Sequence, residues 1–289
     1  MLFRPSIKTK GISLVLLAGA SWGLIGLFSR SLDSIGLGAL DITALRGFFT
    51  GLALLAVVPL MNPKALKVRL RDLWCMAGCG IASITFFNIC YFTTLQQTSI
   101  GIAVVLLYTS PVFVTVLSRF CFGEVFRKRT FLALALVTAG CVLVSGVTGG
   151  GGLTFRSLLT GLGSGFCYAL YSIFGRYAQQ RGYSSIAITL WSFIFAGTAA
   201  LFILNWGSVL PVLGTGTPWL PLAGLVLVST ILPYFTYTAG LRLLPPSTAA
   251  IVATIEPVVG TLVGILVFGE SLTASALAGM ALIIGALFL

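Results

Sequence analysis

Histidine is absent from this 289-residue chain, and only six residues are acidic. The first absence removes every histidine-ligated metal site and every nucleophile–histidine pair, and with them the usual catalytic constellations. Charge of either sign is scarce, at 8% of residues where a soluble domain has about 25%. With 58% apolar residues and a mean hydropathy of +1.09, the chain has too little polar surface to fold in water. An integral membrane protein is the class that remains. Nor is there a phosphate loop: the run Gly149 to Gly152 lacks the Lys-Ser/Thr that would follow it and reads as a linker.

What is present is long apolar sequence. A helix needs about 20 apolar residues to cross a hydrocarbon core of roughly 30 Å. Residues 73–118 carry no charge, nor do residues 182–241, which are divided by a turn-rich patch at 207–218. The same measure along the chain predicts helices near 11–31, 37–60, 72–95, 99–120, 129–147, 156–178, 184–205, 217–241, 247–268 and 272–289. The first has basic residues before it but no convincing small-residue cleavage site, so it is expected to stay as a span.

The net charge of +11 is one-sided. With the N-terminus in the cytoplasm, fourteen basic residues, in clusters such as Lys64 to Arg71 and Arg119 to Arg129, fall on the cytoplasmic face, and only Arg30 and Arg156 on the other. That bias accounts for the basicity as membrane orientation, and no nucleic-acid partner is expected. Six cysteines lie in or at the ends of predicted helices without enough other ligands for a metal, and they read as packing residues. No metal or cofactor is expected.

The chain also repeats itself. Phe122-Gly123-Glu124 recurs as Phe268-Gly269-Glu270, Pro111 as Pro257, Tyr91 as Tyr237, Arg30 as Arg176 and Gly19 as Gly165, always 146 residues on. Two halves, 1–147 and 148–289, must then have equal numbers of helices. Five each is an odd number, so the second half enters the membrane from the opposite side. The expected fold class is an all-α integral membrane protein with ten transmembrane helices as two inverted five-helix repeats. Such repeats characterise many secondary transporters, which bind substrate near the midplane and alternate access.

The Trp22-Gly23 pair, the Ser110-Pro111 and Glu256-Pro257 pairs and the two Phe-Gly-Glu endings resemble, over the whole chain, the EamA-type branch of the drug/metabolite transporter (DMT) superfamily. The resemblance implies an inner-membrane carrier, often an exporter, of amino acids, other metabolites, nucleotide sugars or cations. It does not name the substrate.

Candidate substrate-binding residues follow from polar chemistry inside predicted helices. Glu256 is the one acidic residue expected deep in the membrane. Such a carboxylate needs a wet cavity, a cation or a proton. It reads as a coupling or substrate-amine site, or as a structural cap for groups freed by Pro257. Arg46 reads as a contact for a substrate carboxylate, as a side chain snorkelling to the interface, or as the partner of Asp41 or Glu256. Trp22, Tyr91, Tyr108, Tyr168, Trp191 and Tyr237 are mid-helix aromatics whose polar atoms want partners. Trp22 and Tyr168 are repeat mates, as are Tyr91 and Tyr237, and Asn88 shares a helix face with Tyr91. Pro111 and Pro257 are candidate helix breaks.

The leading expectation is a secondary transporter of small metabolites such as amino acids, with a lipid bilayer, a small-molecule substrate and protons as partners, as monomer or homodimer. An organic-cation carrier of the same fold is the alternative, motivated by one carboxylate among aromatics. A membrane-embedded enzyme lacks a constellation, and a channel lacks a filter or charge ring.

Overall fold

A computed structural model describes residues 6–125, 127–146 and 153–289. The glycine run at 149–152, the boundary between the expected halves at 147/148 and Arg4 lie outside the described residues. Within them the chain is all-helical. Eight stretches are long and apolar enough to cross a membrane. The first, Ile7–Asp33, joins α1 (Ile7–Gly23) and α2 (Ile25–Asp33), and α3 (Ala39–Met61) is the second. The third runs from α4 (Leu73–Ala77) through a π-helical stretch at Gly78–Thr85 to α5 (Phe86–Leu95). The fourth is α6 (Ile100–Leu107) and α7 (Ser110–Phe122). After α8 (Lys128–Val144) come α9 (Phe155–Gln180) and α10 (Ser185–Ile203). A short α11 (Trp206–Gly214) leads to α12 (Trp219–Val226), a π-helical stretch at Leu227–Ile231 and α13 (Leu232–Leu241). The last elements are α14 (Pro246–Ala253), α15 (Glu256–Phe268) and α16 (Ala274–Ala286).

The regions expected as fifth and tenth helices are α8, 17 residues, and α16, 13 residues, both shorter than the roughly 20 residues of an ordinary crossing. Their mutual packing buries Val137, Met280 and Ile283, with Gly140 set against the Gly279 carbonyl.

The 146-residue spacing extends to element boundaries. α7 begins at Ser110 and α15 at Glu256; α7 ends at Phe122 and α15 at Phe268. The glycine after each has φ of 69° and 68°, a left-handed C-cap that a side chain would strain. Where single helices are expected over 99–120 and 247–268, each is broken in the middle. Pro111 and Pro257 stand second in the new helices; each lacks an N–H and its ring displaces the carbonyl four residues back, at Leu107 and Ala253. Hydroxyls take up part of the loss, since Thr109 Oγ1 donates to Leu106 O at 2.6 Å and Thr254 Oγ1 to Ile251 O at 2.5 Å.

The remaining cover comes from glycine. Gly19 of α1 lies against the Ala253 carbonyl, and its mate Gly165 of α9 against the carbonyls of Leu106 and Leu107, with no room for a Cβ at either. Thus α1 packs on α13, α14 and α15, and α9 on α5, α6 and α7. Between them, α3 and α10 cross with Gly51 on the Phe193 carbonyl and its mate Gly197 on Gly47. Outward, Phe120, Phe202 and Leu220 are among many exposed apolar side chains. Trp206 and Trp219 donate to helix-end carbonyls at Leu201 and Leu213, as interfacial tryptophans do.

Gly19→Val and Gly165→Val each force two backbones apart at a helix break. Each should cost about 1–3 kcal/mol of stability, read as a lowered thermal unfolding midpoint in detergent, whereas Gly26→Ala, where a Cβ meets open space, should leave it unchanged.

Candidate functional site

Packing α1 and α9 on the broken helices leaves a cavity of about 460 Å³. Glu256 stands at its inner end, the first residue of α15 beside the α14/α15 break. The break puts the carboxylate where the first backbone N–H groups of a 13-residue helix have no intrahelical acceptor, and a negative charge is favoured there. Tyr168 of α9 donates its hydroxyl to Glu256 Oε2 at 3.3 Å. Tyr108, at the end of α6, and Tyr91 line the same space.

Aromatic packing builds the wall behind. The Trp22 ring meets Tyr234 and Tyr237 at 5.3 Å each and Tyr168 at 6.2 Å; Phe87 meets Tyr168 at 5.3 Å. Beneath this layer the structure is shut by paired hydroxyls, Tyr237 with Ser172 at 2.6 Å and Tyr171 with Thr238 at 2.9 Å. A void of about 20 Å³, lined by Ser110, Ser172, Tyr237 and Glu256, lies on the far side of Glu256.

Arg46 of α3 is 8% exposed and faces the cavity. It makes no hydrogen bond or ion pair among the described residues. The expectation that Asp41 partners it is corrected: that carboxylate accepts from Asn205 N at 3.1 Å and Ser208 Oγ at 3.4 Å, because Asp41, in the first turn of α3, caps the turn that opens α11. Asn88 donates Nδ2 to Ile84 O at 2.6 Å and also lines the cavity.

Of the residues expected to bind substrate, Trp22, Arg46, Asn88, Tyr91, Tyr108, Tyr168 and Glu256 therefore converge on one space. Two do not. Tyr237 lies one layer deeper, against Trp22 and Ser172. Trp191 is packed toward Phe195 at 6.4 Å, outside the cavity lining and against the hydrophobic core, with its indole N–H unpartnered among the described residues. Tyr234, a mid-helix aromatic of the expected kind and the repeat mate of Asn88, completes the wall. Two groups were missed by sequence reasoning. At the mouth Arg30 and Glu270 form an ion pair of 2.7 Å, with the Arg30 guanidinium 4.4 Å from the Phe268 ring. No sequence signal marked the ion pair, whose members belong to different repeated motifs.

On the face away from that mouth, Asp72 is buried and accepts from Arg181 Nε at 3.1 Å and from the Tyr183 hydroxyl at 2.7 Å. Burial, and then the hydrogen bond to Asp72, raise the Tyr183 phenol above its ordinary pKa. Trp74, Tyr177 and Phe122 stack in the same corner.

Eight apolar spans around a cavity that holds a partly buried carboxylate and a buried guanidinium define a multi-pass membrane protein. The EamA-like transporter family matches residues 9–146 and 155–289, once in each half, and the chain belongs to that family. It is 32% identical over 279 residues to an uncharacterized transporter of Archaeoglobus fulgidus, covering 95% of this chain and 93% of that one. It is 28% identical to the threonine/homoserine exporter RhtA of Escherichia coli K12, over 86% of this chain and 80% of the exporter. An uncharacterized inner membrane transporter of Salmonella typhimurium, YicL, is 24% identical over 97% and 94% of the two chains. A solved crystal structure has the same fold, with a TM-score of 0.80 at 21% identity over 96% of this chain and 94% of that one.

Asp72→Ala should strip Arg181 and Tyr183 of their acceptor. A loss of about 1–2 kcal/mol is expected after allowing for the exposure of Arg181, measured as a lowered unfolding midpoint that Asp72→Glu partly restores.

Proposed function

We propose that this protein is a secondary carrier exporting small zwitterionic metabolites, amino acids among them, by alternating access to a midplane site. The observation that carries the reading is the presence, within one cavity, of a guanidinium with no hydrogen bond or ion pair among the described residues and a carboxylate that accepts from the Tyr168 hydroxyl. A substrate carboxylate suits Arg46 and a substrate ammonium suits Glu256, with Trp22, Tyr91, Tyr108, Tyr168 and Asn88 enclosing the rest. The exporter named for threonine and homoserine, 28% identical, supports amino acids as the class.

The carrier cycle rests on ten crossings in two inverted repeats, residues 1–147 and 148–289. At 1.5 Å per residue α8 spans about 26 Å and α16 about 20 Å, and tilt, snorkelling ends and local thinning accommodate short spans. Contacts support the inversion: Phe268 sits with Arg30, its mate Phe122 with Tyr177 and Trp74. Basic residues place the N-terminus in the cytoplasm, so the cavity opens outward in this conformation. An inner-membrane location agrees with the name of the Salmonella relative, an inner membrane transporter. Glu256 is the coupling group, taking a proton when the substrate ammonium leaves.

Glu256→Gln should abolish proton-driven accumulation in proteoliposomes while sparing substrate counterflow; equal loss of both in a folded protein would refute the coupling role. Arg46→Gln should raise the KM for amino acids about tenfold or more, the value of one charge-assisted hydrogen bond, with Arg46→Lys intermediate. The competing reading is an organic-cation carrier, favoured by the aromatic wall around Glu256. Thermal stabilisation by quaternary amines and not by amino acids would establish it instead.

A further inference from the structure

The two mouths of the molecule contain the same residues in different bonds. Arg30 is paired with Glu270 at 2.7 Å and lies over Phe268. Their mates are Arg176, Glu124 and Phe122, yet Arg176 Nη1 donates to the Leu241 carbonyl at 2.9 Å, at the last residue of α13. Phe122 is occupied by Tyr177 at 4.8 Å. Glu124 folds back so that its N–H donates to Ser118 O, as Glu270 does to Gly264 O. Among the described residues its Oε1, however, is buried without a hydrogen-bond partner, and so is the hydroxyl of Ser118, itself fully buried.

This difference coincides with the difference in access. At the Arg176 mouth α9 packs on α13 and α14 of its own half. At the Arg30 mouth the cavity, lined there by Phe92, Ile100 and Gly101, separates α2 from α5 and α6. An arginine bonded to the carbonyl at the end of the third span thus marks the shut face, and an arginine bonded to the carboxylate after the fourth span marks the open one. The carbonyl that would receive Arg30 is that of Leu95, mate of Leu241 and the last residue of α5. Beside it the buried Gln97 Oε1 and Thr98 Oγ1 have no hydrogen-bond partner among the described residues.

We infer that Arg30 and Arg176 are paired latches that exchange acceptors in opposite phase: Arg30 moves from Glu270 to the Leu95 carbonyl as its mouth closes, while Arg176 leaves the Leu241 carbonyl for Glu124. The exchange rests on the alternating-access reading. It keeps each arginine hydrogen-bonded in both states, so neither conformation strands a guanidinium at the edge of the membrane. Glu124 waits unpaired because its partner is engaged elsewhere.

The test uses single reporters in the full-length protein with its six cysteines replaced by serine or alanine. Thr261 lines the cavity, and its mate Thr115 is buried below the shut face. Maleimide labelling of Thr261→Cys should be faster than of Thr115→Cys. Arg30→Gln, which weakens the open state shown here, should slow the first and speed the second by about two- to fivefold, the range of an exposed ion pair. Glu124→Gln, which removes the negative charge that Arg176 would meet in the opposite state, should do the reverse. The charge swap Arg30→Glu with Glu270→Arg should return labelling toward the parent. Unchanged rates, or both variants moving the rates the same way, overturn the latch; the carrier reading survives that result if substrate counterflow persists. Loss of counterflow with reporters that never trade accessibility overturns both.

Discussion

No backbone amide or carbonyl can be left bare in hydrocarbon, and that constraint shapes this protein more than any single contact. Spans must be helical because only a helix satisfies its own backbone. A break in the middle of a span is therefore tolerable only where protein or a wet cavity covers it. Both breaks here are covered in the same manner: a threonine hydroxyl on one carbonyl, a glycine of a helix from the other half on another. This requirement draws α1 onto α14 and α15, and α9 onto α6 and α7. The interleaving of the two halves, and so the existence of one central cavity, follows from sealing two broken helices.

Helix positions were legible because each span is a run of apolar residues bounded by charge or turn residues, and observed ends lie within a few residues of those expected. The breaks were legible only as prolines, since the apolar run through residues 100–118 has no other irregularity. Much of the site was also legible, because a charged or hydroxylated aromatic residue inside such a run is conspicuous. Trp191 shows the limit of that signal. Helical position says that a residue is at membrane depth but not which way its face turns, and Trp191 faces the hydrophobic core beside Phe195 instead of the cavity. The Arg30–Glu270 pair was invisible for a different reason. The repeat relates Arg30 to Arg176 and Glu270 to Glu124, so it displays equivalence, while the pair itself joins residues that are not equivalent.

Scaffold and site obey opposite rules. Residues that form breaks, caps and close crossings have mates of the same kind: Pro111 with Pro257, Gly123 with Gly269, Gly19 with Gly165, Gly51 with Gly197. Several polar residues that face the cavity do not, although Tyr91 keeps a tyrosine mate in Tyr237 and Trp22 an aromatic one in Tyr168. Glu256 corresponds to Ser110, Arg46 to Ser192, Tyr108 to Thr254 and Asn88 to Tyr234. On the carrier reading both rules have a physical basis. Two conformations of similar free energy need a matched framework, so that a modest bias exchanges them. One substrate molecule has two unlike ends, and a single pocket that meets both must depart from the symmetry of its frame.

The two interpretations of Glu256, structural and functional, then become one. As the first residue of α15 it occupies a helix N-terminus, where a carboxylate offsets unpaired N–H groups. That same position exists because Pro257 ends the preceding helix, and the opening it creates admits the cavity to the carboxylate. A carboxylate in unbroken helix at this depth would have neither a helix terminus nor a wet surface to stabilise it, and its desolvation would be uncompensated. The break makes the charge tolerable, and it exposes the charge to the cavity. Ser110 at the mate position shows what the break alone requires: a helix start before a proline, with no charge at all. The carboxylate is therefore an addition to the structural motif, placed where the fold had already made room for it.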